Sequence, residues 1–375
     1  MSGDMEQGIN IGKLFGIQFR LHYGWFIIFG LVSVFLATQV FPDTLDNADD
    51  LKLWIMGITT SLLFFASVIV HELAHSLIGR ANGMKVKSIT LFIFGGAANM
   101  SEEAETAGSE FKMALAGPAS SLGLAGIFYV LYINLNGQSP ELAVMDYWLA
   151  QINLILAVFN LIPGFPLDGG RILRAAFWQQ TKDLSKSTRI STVAGQIFGF
   201  LFIAAGIFIV IRTQDWLSGV WLGLLGWYLS DTARTSFRQY TLQQVLKRVT
   251  PMEVIDFNIP KAKSTQIFGD YLTQTPNGAY ILVDDGNDPV GIINRHSLKN
   301  KDILKSKPMA ELYTPISEIP IITSDTNALD IARRMNEDKI EIVRLEGKNI
   351  QSGFITLDSL IAYMNKLPVK GITEA

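Results

Sequence analysis

Two histidines and a glutamate stand together inside a long apolar stretch of the chain. His71 and His75 are four residues apart and Glu72 follows the first of them, in the pattern H-E-x-x-H. Positions i and i+4 share one face of a helix, so both imidazoles could bind one zinc ion while Glu72 takes a proton from water. Ionisable groups are costly in hydrocarbon, so three together indicate a functional site. The spacing is typical of a metalloprotease, and its surroundings predict one that works within the bilayer.

A catalytic zinc needs a third protein ligand, and Asp168 is the best candidate. The chain has no cysteine, and the other histidines, His22 and His296, are not obviously placed for the task. Asp168 lies within residues 160–171, where prolines and glycines interrupt an apolar segment. Broken helices at membrane depth are tolerated where they face protein or a water-filled cavity, which a hydrolase requires. The alternative is a span-ending turn in which Asp168 caps the next helix, and the histidine pattern favours the ligand.

The composition predicts a protein that is partly embedded in a membrane. Hydrophobic residues make up 49% of the 375 residues, and the mean hydropathy is +0.28. Six segments can each supply about 20 mostly apolar helical residues, namely 21–41, 52–79, 110–134, 142–163, 191–211 and 216–232. The net charge of −3 gives no reason to expect a nucleic-acid partner. We expect a polytopic α-helical membrane domain over residues 1–244.

The distribution of basic residues predicts the orientation of these spans. Lys and Arg beside spans are retained on the cytoplasmic side. With the N-terminus inside, the outer side receives only Lys52 and Arg212. The inner side receives Lys13, Arg20, Arg80, Lys85, Lys87, Lys112, Arg171, Arg174, Lys182, Lys186, Arg189, Arg234, Arg238, Lys247 and Arg248. We therefore expect both termini in the cytosol of a prokaryotic cell, or the equivalent side of a related organelle membrane.

An internal repeat follows the last apolar segment, within residues 245–375. The strand-like residues 280–283 and 291–294 recur as 342–345 and 353–356, at an offset of 62 residues. Each copy has the order helix, strand, turn, strand, helix. The repeats, about 247–303 and 308–366, resemble a tandem pair of CBS modules, which form a soluble α/β domain.

The resemblance to CBS modules implies possible partners for the repeats. Such modules often bind adenosyl nucleotides, and they can pair into a homodimer. Ser297 and Ser359 occupy the positions at which CBS modules often place a ribose-binding aspartate, and Asp358 is one position away. A structural or dimerising role therefore stands beside nucleotide binding.

Taken together, the motifs resemble the site-2 protease family of intramembrane zinc metalloproteases, in the branch with C-terminal CBS domains. H-E-x-x-H in the second span is paired with N-x-x-P-x-x-P-x-D-G-G at residues 160–170. The resemblance implies one zinc per chain, held by His71, His75 and Asp168, with catalysis by Glu72 and transition-state support from Asn160. It also implies a membrane-anchored protein substrate, cut in or near its transmembrane segment to release a cytosolic regulator.

The substrate must be unwound before cleavage, because helical hydrogen bonds shield its peptide carbonyls. Residues 88–98 are rich in β-prone types, and Phe94, Gly95 and Gly96 lie within them. These three residues are the candidate substrate-binding positions, on a strand edge that would pair with the extended substrate. A re-entrant hairpin that only stabilises the fold is the alternative.

Two other functions would also place ionisable groups in a membrane domain. A transporter gated by CBS modules could use them as an ion pathway, although the spans show no obvious inverted repeat. A non-catalytic sensor would use the membrane domain only as an anchor, which leaves His71, Glu72, His75 and Asp168 without a role.

Overall fold

A computed structural model describes residues 8–45, 49–92, 95–100, 104–274, 279–286, 288–298, 304–346 and 353–366. The chain folds into two compact units. We call Met1–Phe237 the membrane unit and Arg238–Ala375 the repeat unit. The division falls inside a helix that runs from Trp216 to Leu246. The boundary at 244/245 that the sequence indicates lies near the end of this helix and stays a prediction.

Long helices dominate the membrane unit. They are α1 (Tyr23–Phe35, continued by a π-helical turn, Leu36–Val40), α2 (Asp50–Ala81), α3 (Ala107–Leu135), α4 (Pro140–Asn160), α5 (Asp168–Thr181), α6 (Leu184–Thr213) and α7 (Trp216–Leu246). Among the described residues, α1 with its extension, α2, α3, α4 and α6 are long and apolar enough to cross a bilayer. The predicted polytopic helical membrane domain is confirmed. The sixth predicted span, 216–232, forms the first part of α7, where glycines, Ser230 and Asp231 lower the hydropathy.

The membrane unit also contains a four-stranded sheet in the order β1-β2-β3-β4. Its strands are β1 (Ile9–Leu14), β2 (Ile17–Leu21), β3 (Val86–Phe92) and β4 (Gly95–Met100). Strand β2 runs parallel to β3, and the other two pairs are antiparallel. Ile17, Phe19 and Ile89 are buried against Ile69 and Leu73 of α2. The sheet therefore packs on the half of α2 that carries the H-E-x-x-H residues, and β4 forms one edge.

The repeat unit contains two copies of one strand–helix–strand–strand order. The first copy has β5 (Lys261–Lys263), α9 (Phe268–Gln274), β6 (Tyr280–Asp285), β7 (Asp288–Asn294) and β8 (Thr314–Pro315), and it follows the short helix α8 (Pro251–Val254). The second has β9 (Ile321–Thr323), α10 (Ala328–Glu337), β10 (Ile342–Glu346), β11 (Gly353–Thr356) and α11 (Leu357–Lys366). In each copy the first strand is parallel to the second, and the second is antiparallel to the third.

An apolar cluster joins the two repeats. Its buried members are Ile259, Tyr280, Leu282, Ile292, Ile319 and Phe354. Because both copies contribute to one core, they form a single α/β body. The predicted α/β fold with two internal repeats is confirmed.

Candidate metal centre

Helix α2 brings His71 and His75 together on one buried face. The two side chains lie one helical turn apart, and only 3% and 6% of each residue is exposed. Their Nε2 atoms are 3.2 Å apart. The i, i+4 spacing therefore places both ring nitrogens where one ion could contact them.

Asp168 reaches the same point from the first residue of α5. Its Oδ2 atom lies 3.2 Å from His71 Nε2 and 3.1 Å from His75 Nε2. The broken segment between α4 and α5 makes this approach possible, because the turn folds back on α6. There the N–H of Phe165 donates to the carbonyl of Ser191 at 3.0 Å. The structure thus brings Asp168 to the two histidines, although it follows them by nearly one hundred residues in the chain.

Outer contacts orient the two imidazoles. His75 Nδ1 lies 2.7 Å from the carbonyl oxygen of Met113, which can only accept, so Nδ1 carries the proton and Nε2 keeps its lone pair. His71 Nδ1 lies 2.9 Å from the hydroxyl of Ser121, which permits the same arrangement. Both partners belong to α3. Such contacts are the usual support of zinc-bound histidines.

The donor set fits a zinc ion. Its three ligand atoms are 3.1 to 3.2 Å apart, and tetrahedral zinc with bonds of about 2.0–2.1 Å separates its ligand atoms by about 3.3 Å. Burial raises the pKa of Asp168, but contact with His71 and His75 outweighs burial, so its pKa lies below the ordinary carboxyl value. A carboxylate and two imidazole nitrogens that converge this closely offer a buried cation three ligand atoms.

Two glycines make room for this centre. A Cβ atom at Gly117 of α3 would lie 2.1 Å from His75 Nε2 and 2.6 Å from His71 Nε2. A Cβ atom at Gly96 of β4 would lie 2.4 Å from Glu72 Cγ. Helix α3 therefore passes directly beside the ligand atoms, and strand β4 passes directly beside the candidate base.

The remaining predicted residues have different positions. Asn160 is the last residue of α4, and its amide donates to the carbonyl of Leu156 at 3.0 Å. Gly95 begins β4, whereas Phe94 lies outside the described residues. His22 caps α1, because its Nδ1 accepts from the N–H of Gly24.

Sequence reasoning missed the residues that support the ligands from α3. Gly117 stands between Ala116 and Pro118, and nothing in this sequence reveals contact with both histidines. Met113 acts through its backbone carbonyl, which every residue type has. Only the packing of α3 against α2 identifies these positions.

Comparisons with known proteins give the class of the chain. The model of peptidase family M50 matches residues 59–146 and 140–205. A protein from Synechocystis sp. that is named as a zinc metalloprotease is 35% identical over 329 residues, covering 86% of this chain and 82% of the relative. Rip3 from Mycobacterium tuberculosis, also named as a zinc metalloprotease, is 30% identical over 326 residues, covering 84% and 82%.

Two proteins of Methanocaldococcus jannaschii are similar as well. A zinc metalloprotease is 27% identical over 378 residues and covers 98% of both chains. The solved structure of a site-2 protease is 28% identical, covers 61% of this chain and 94% of that chain, and has a TM-score of 0.42.

The chain belongs to peptidase family M50, the site-2 protease family. It is an integral membrane enzyme, a zinc-dependent metalloendopeptidase of intramembrane proteolysis, and its repeat unit is a separate α/β domain. The transporter and the non-catalytic sensor are thereby set aside.

Proposed function

We propose that His71, His75 and Asp168 hold the single zinc ion of this protease and that Glu72 is its general base. The observation that carries the proposal is the convergence of three lone-pair donors within 3.2 Å, with His75 Nδ1 already donating to a carbonyl. Three protein ligands leave coordination open for water, as catalytic zinc sites require.

The chain's own groups divide the work of peptide hydrolysis. Bound zinc supplies a Lewis acid that lowers the pKa of water to about 7. Glu72, on the turn that joins the two histidines, takes the proton from the attacking water and delivers it to the leaving amine. The amide of Asn160 turns away from Leu156 and donates to the oxyanion as it forms, a contact whose loss costs about 10²–10³ in rate.

Co-expression with tagged single-span proteins tests this assignment. We expect Glu72→Gln to keep zinc, measured by elemental analysis of the purified full chain, and to abolish cleavage. Asp168→Asn should lose both zinc and cleavage. Cleavage by Glu72→Gln, or full zinc occupancy in Asp168→Asn, would overturn the assigned roles.

We further propose that the substrate is a membrane-anchored protein whose extended segment pairs with β4, the edge strand of the described sheet, and that cleavage releases a cytosolic regulator. Support comes from the position of β4 at the edge of the sheet and from the closeness of Gly96 to Glu72. Gly95 and Gly96 would let the substrate backbone approach the centre. Pairing with a sheet edge gives affinity through main-chain hydrogen bonds.

Proline substitutions in β4 separate substrate pairing from a hairpin that only stabilises the fold. Neighbouring N–H groups of a strand point to opposite sides, so one of Ala97→Pro and Ala98→Pro removes an inward hydrogen bond and the other an outward donor. The two variants are told apart by measurement. The variant that removes only an outward donor should keep the native melting temperature and bind zinc. We expect that variant to lose cleavage, and native cleavage by it would disprove substrate pairing.

We also propose that α7 crosses the membrane, which places both termini in the cytosol. Support comes from its close packing along α6. A Cβ atom at Gly226 would lie 2.4 Å from the carbonyl oxygen of Gly199, and one at Gly206 would lie 2.4 Å from that of Gly219. Backbones this close are typical of helices that associate within a bilayer.

Cysteine labelling tests this topology, because the native chain has no cysteine. Ser185 and Thr213 lie at opposite ends of α6, and Ser317 lies in the repeat unit. We expect single cysteines at 185 and 317 to react with membrane-impermeant reagents only from the cytosolic side, and one at 213 only from the other side. Labelling of 317 from the same side as 213 would show that α7 does not cross.

For the repeat unit we propose a structural role that includes homodimer formation, with an adenosyl nucleotide as the alternative ligand. Support comes from the two serines at the ribose positions. Ser297 Oγ donates to the carbonyl of Asn294, and Ser359 Oγ donates to that of Thr356, both at 2.9 Å. Equilibrium dialysis of the full chain with ATP and sedimentation of the purified protein test the two roles separately.

A further inference from the structure

A buried ion pair joins α3 to α5 beside the metal centre. Arg174 Nε donates to Glu110 Oε1 at 2.6 Å, and a second guanidinium nitrogen of Arg174 contacts the same oxygen. The side chain of Glu110 is 1% exposed and that of Arg174 is 11% exposed. Both charges have therefore left water almost completely.

Stability alone does not explain this pair. Removing two ions from water costs several kcal/mol for each, and their attraction offsets the cost only when the geometry satisfies every atom. Here Glu110 Oε2 is buried and has no hydrogen-bond partner among the described residues. Replacement of a buried ion pair by an apolar pair of similar volume is often neutral or stabilising, so stability does not by itself account for these charges.

On the α3 side, the pair lies next to the groups that orient the histidines. Glu110 precedes Met113 by three residues, and the carbonyl of Met113 accepts from His75 Nδ1. The same helix continues to Gly117 and Ser121, which contact the two imidazoles. A shift of α3 at Glu110 would therefore move the supports of both histidines.

On the α5 side, the pair holds the helix that begins with Asp168. The guanidinium of Arg174 also lies over the ring of Phe165, 5.2 Å from its centre. Phe165 belongs to the turn before Asp168, and a Cβ atom at Gly170 would lie 2.4 Å from its nitrogen. Arg174 thus contacts the turn that packs against the first residues of its own helix, α5.

We propose that Glu110 and Arg174 are positioning residues that fix the Asp168 carboxylate relative to His71 and His75 and thereby set the zinc affinity. The inference rests on the proposed zinc ligands. Two helices packed by apolar contacts can slide by fractions of an ångström, whereas a short charged contact has one favourable geometry. Loss of a hydrogen-bond partner of a metal ligand typically lowers metal affinity by about 10–100-fold, and this pair acts through such partners on α3.

An apolar replacement of the pair separates positioning from stability. We expect the double variant Glu110→Leu/Arg174→Met to keep or raise the melting temperature of the zinc-free full chain. Its zinc affinity, measured by competition with a chromophoric chelator, should fall about 10–100-fold. The single variant Glu110→Gln, which leaves Arg174 buried without a counter-charge, should lose both stability and zinc affinity.

A second ion pair of the membrane unit serves as the matched control. Lys52 and Glu141 join α2 to α4, and their side chains are 49% and 33% exposed. We expect Lys52→Met/Glu141→Leu to keep the native zinc affinity. Native affinity in the double variant at 110 and 174 would overturn the positioning role.

Variants of the ligands distinguish this failure from failure of the proposed site. If Asp168→Asn and His75→Ala lose zinc while Glu110→Leu/Arg174→Met binds it as tightly as the native chain, only the positioning role is wrong. If Asp168→Asn keeps native affinity, the ligand assignment is wrong, and the inference about Glu110 and Arg174 is overturned with it.

Discussion

In the membrane unit, polar side chains from separate helices meet at one point, whereas in the repeat unit Ser297 and Ser359 bond to backbone groups three residues away in their own segments. His71 and His75 come from α2 and Asp168 from α5, and their ligand atoms lie within 3.2 Å of one another. In the repeat unit, Ser359 exchanges hydrogen bonds with Thr356, at the start of the helix that contains it.

The difference shows which polar groups are available for chemistry. A side chain that satisfies its own helix end gains little from a ligand, because binding would only exchange one hydrogen bond for another. Lone pairs that converge in a buried place gain much from a cation. The membrane unit therefore contains the groups poised for chemistry, and Ser297 and Ser359 of the repeat unit are committed to its fold.

The substitution Gly117→Ala should break the convergence completely. Its Cβ atom would lie 2.1 Å from His75 Nε2, within a backbone that packs tightly against α2, so the imidazoles must move apart. We expect the zinc affinity to fall by more than about 100-fold and cleavage to be lost. Gly123→Ala in the same helix, where the added atom meets nothing within 4 Å, is the control and should bind zinc normally. Equal zinc affinity in the two variants would contradict the close approach of α3.

Gly96→Ala should spare the zinc and disable the base. The added Cβ atom would lie 2.4 Å from Glu72 Cγ, so the Glu72 side chain must rotate away. General-base catalysis contributes about 10²–10⁴-fold, and we expect kcat to fall by about 100-fold or more. Chelator competition should give the native zinc affinity. A variant that loses zinc instead would show that β4 supports the ligands and not the base.

Ser121→Ala should weaken the centre without removing it. The variant leaves His71 Nδ1 without the hydroxyl that lies 2.9 Å away, and the ring loses a restraint on its orientation. We expect a decrease of about 10–100-fold in zinc affinity. Ser120→Ala is a matched control, because that hydroxyl donates to the carbonyl of Gly117 in its own helix. If both serine variants change the zinc affinity equally, the Ser121 hydroxyl has no specific role in orienting His71.

Sequence patterns predicted the regular parts of this centre. The i, i+4 spacing places His71 and His75 on one face wherever a helix forms, and the cost of charge in hydrocarbon indicates that the group has a function. Asp168 was found because prolines and glycines interrupt an apolar segment beside it. Its role as a ligand stays a prediction, although the structure places it with the histidines.

The sheet was only partly predicted. Within the β-prone segment 88–98, residues 88–92 form most of β3 and residues 95–98 form most of β4. The hairpin of β1 and β2 was missed, although Ile17, Phe19 and Leu21 alternate with polar residues. Its two-residue turn is Phe15-Gly16, with φ values of 51° and 75°. Both positions are left-handed, and phenylalanine is not a residue that signals such a turn.

The contacts of Glu110 and Arg174 could not be predicted from sequence. Each is one of many charged residues near the end of an apolar segment, where a solvated side chain is the ordinary expectation. Their pairing depends on how α3 and α5 pack, which is a tertiary property. The positive-inside pattern counted Arg174 only as a cytosolic charge.

Thr356→Ala tests the other side of the comparison and should have the smallest effect. Thr356 Oγ1 accepts from the N–H of Ser359 at 3.0 Å, which satisfies one free donor at the start of α11. Loss of such a cap costs about 1 kcal/mol, measured by denaturant unfolding of the repeat unit within the full chain. Zinc affinity and kcat should stay native, because no described contact of Thr356 leads to the metal centre. If cleavage changes while stability does not, this residue has a role beyond its own helix, and the contrast between the units is wrong.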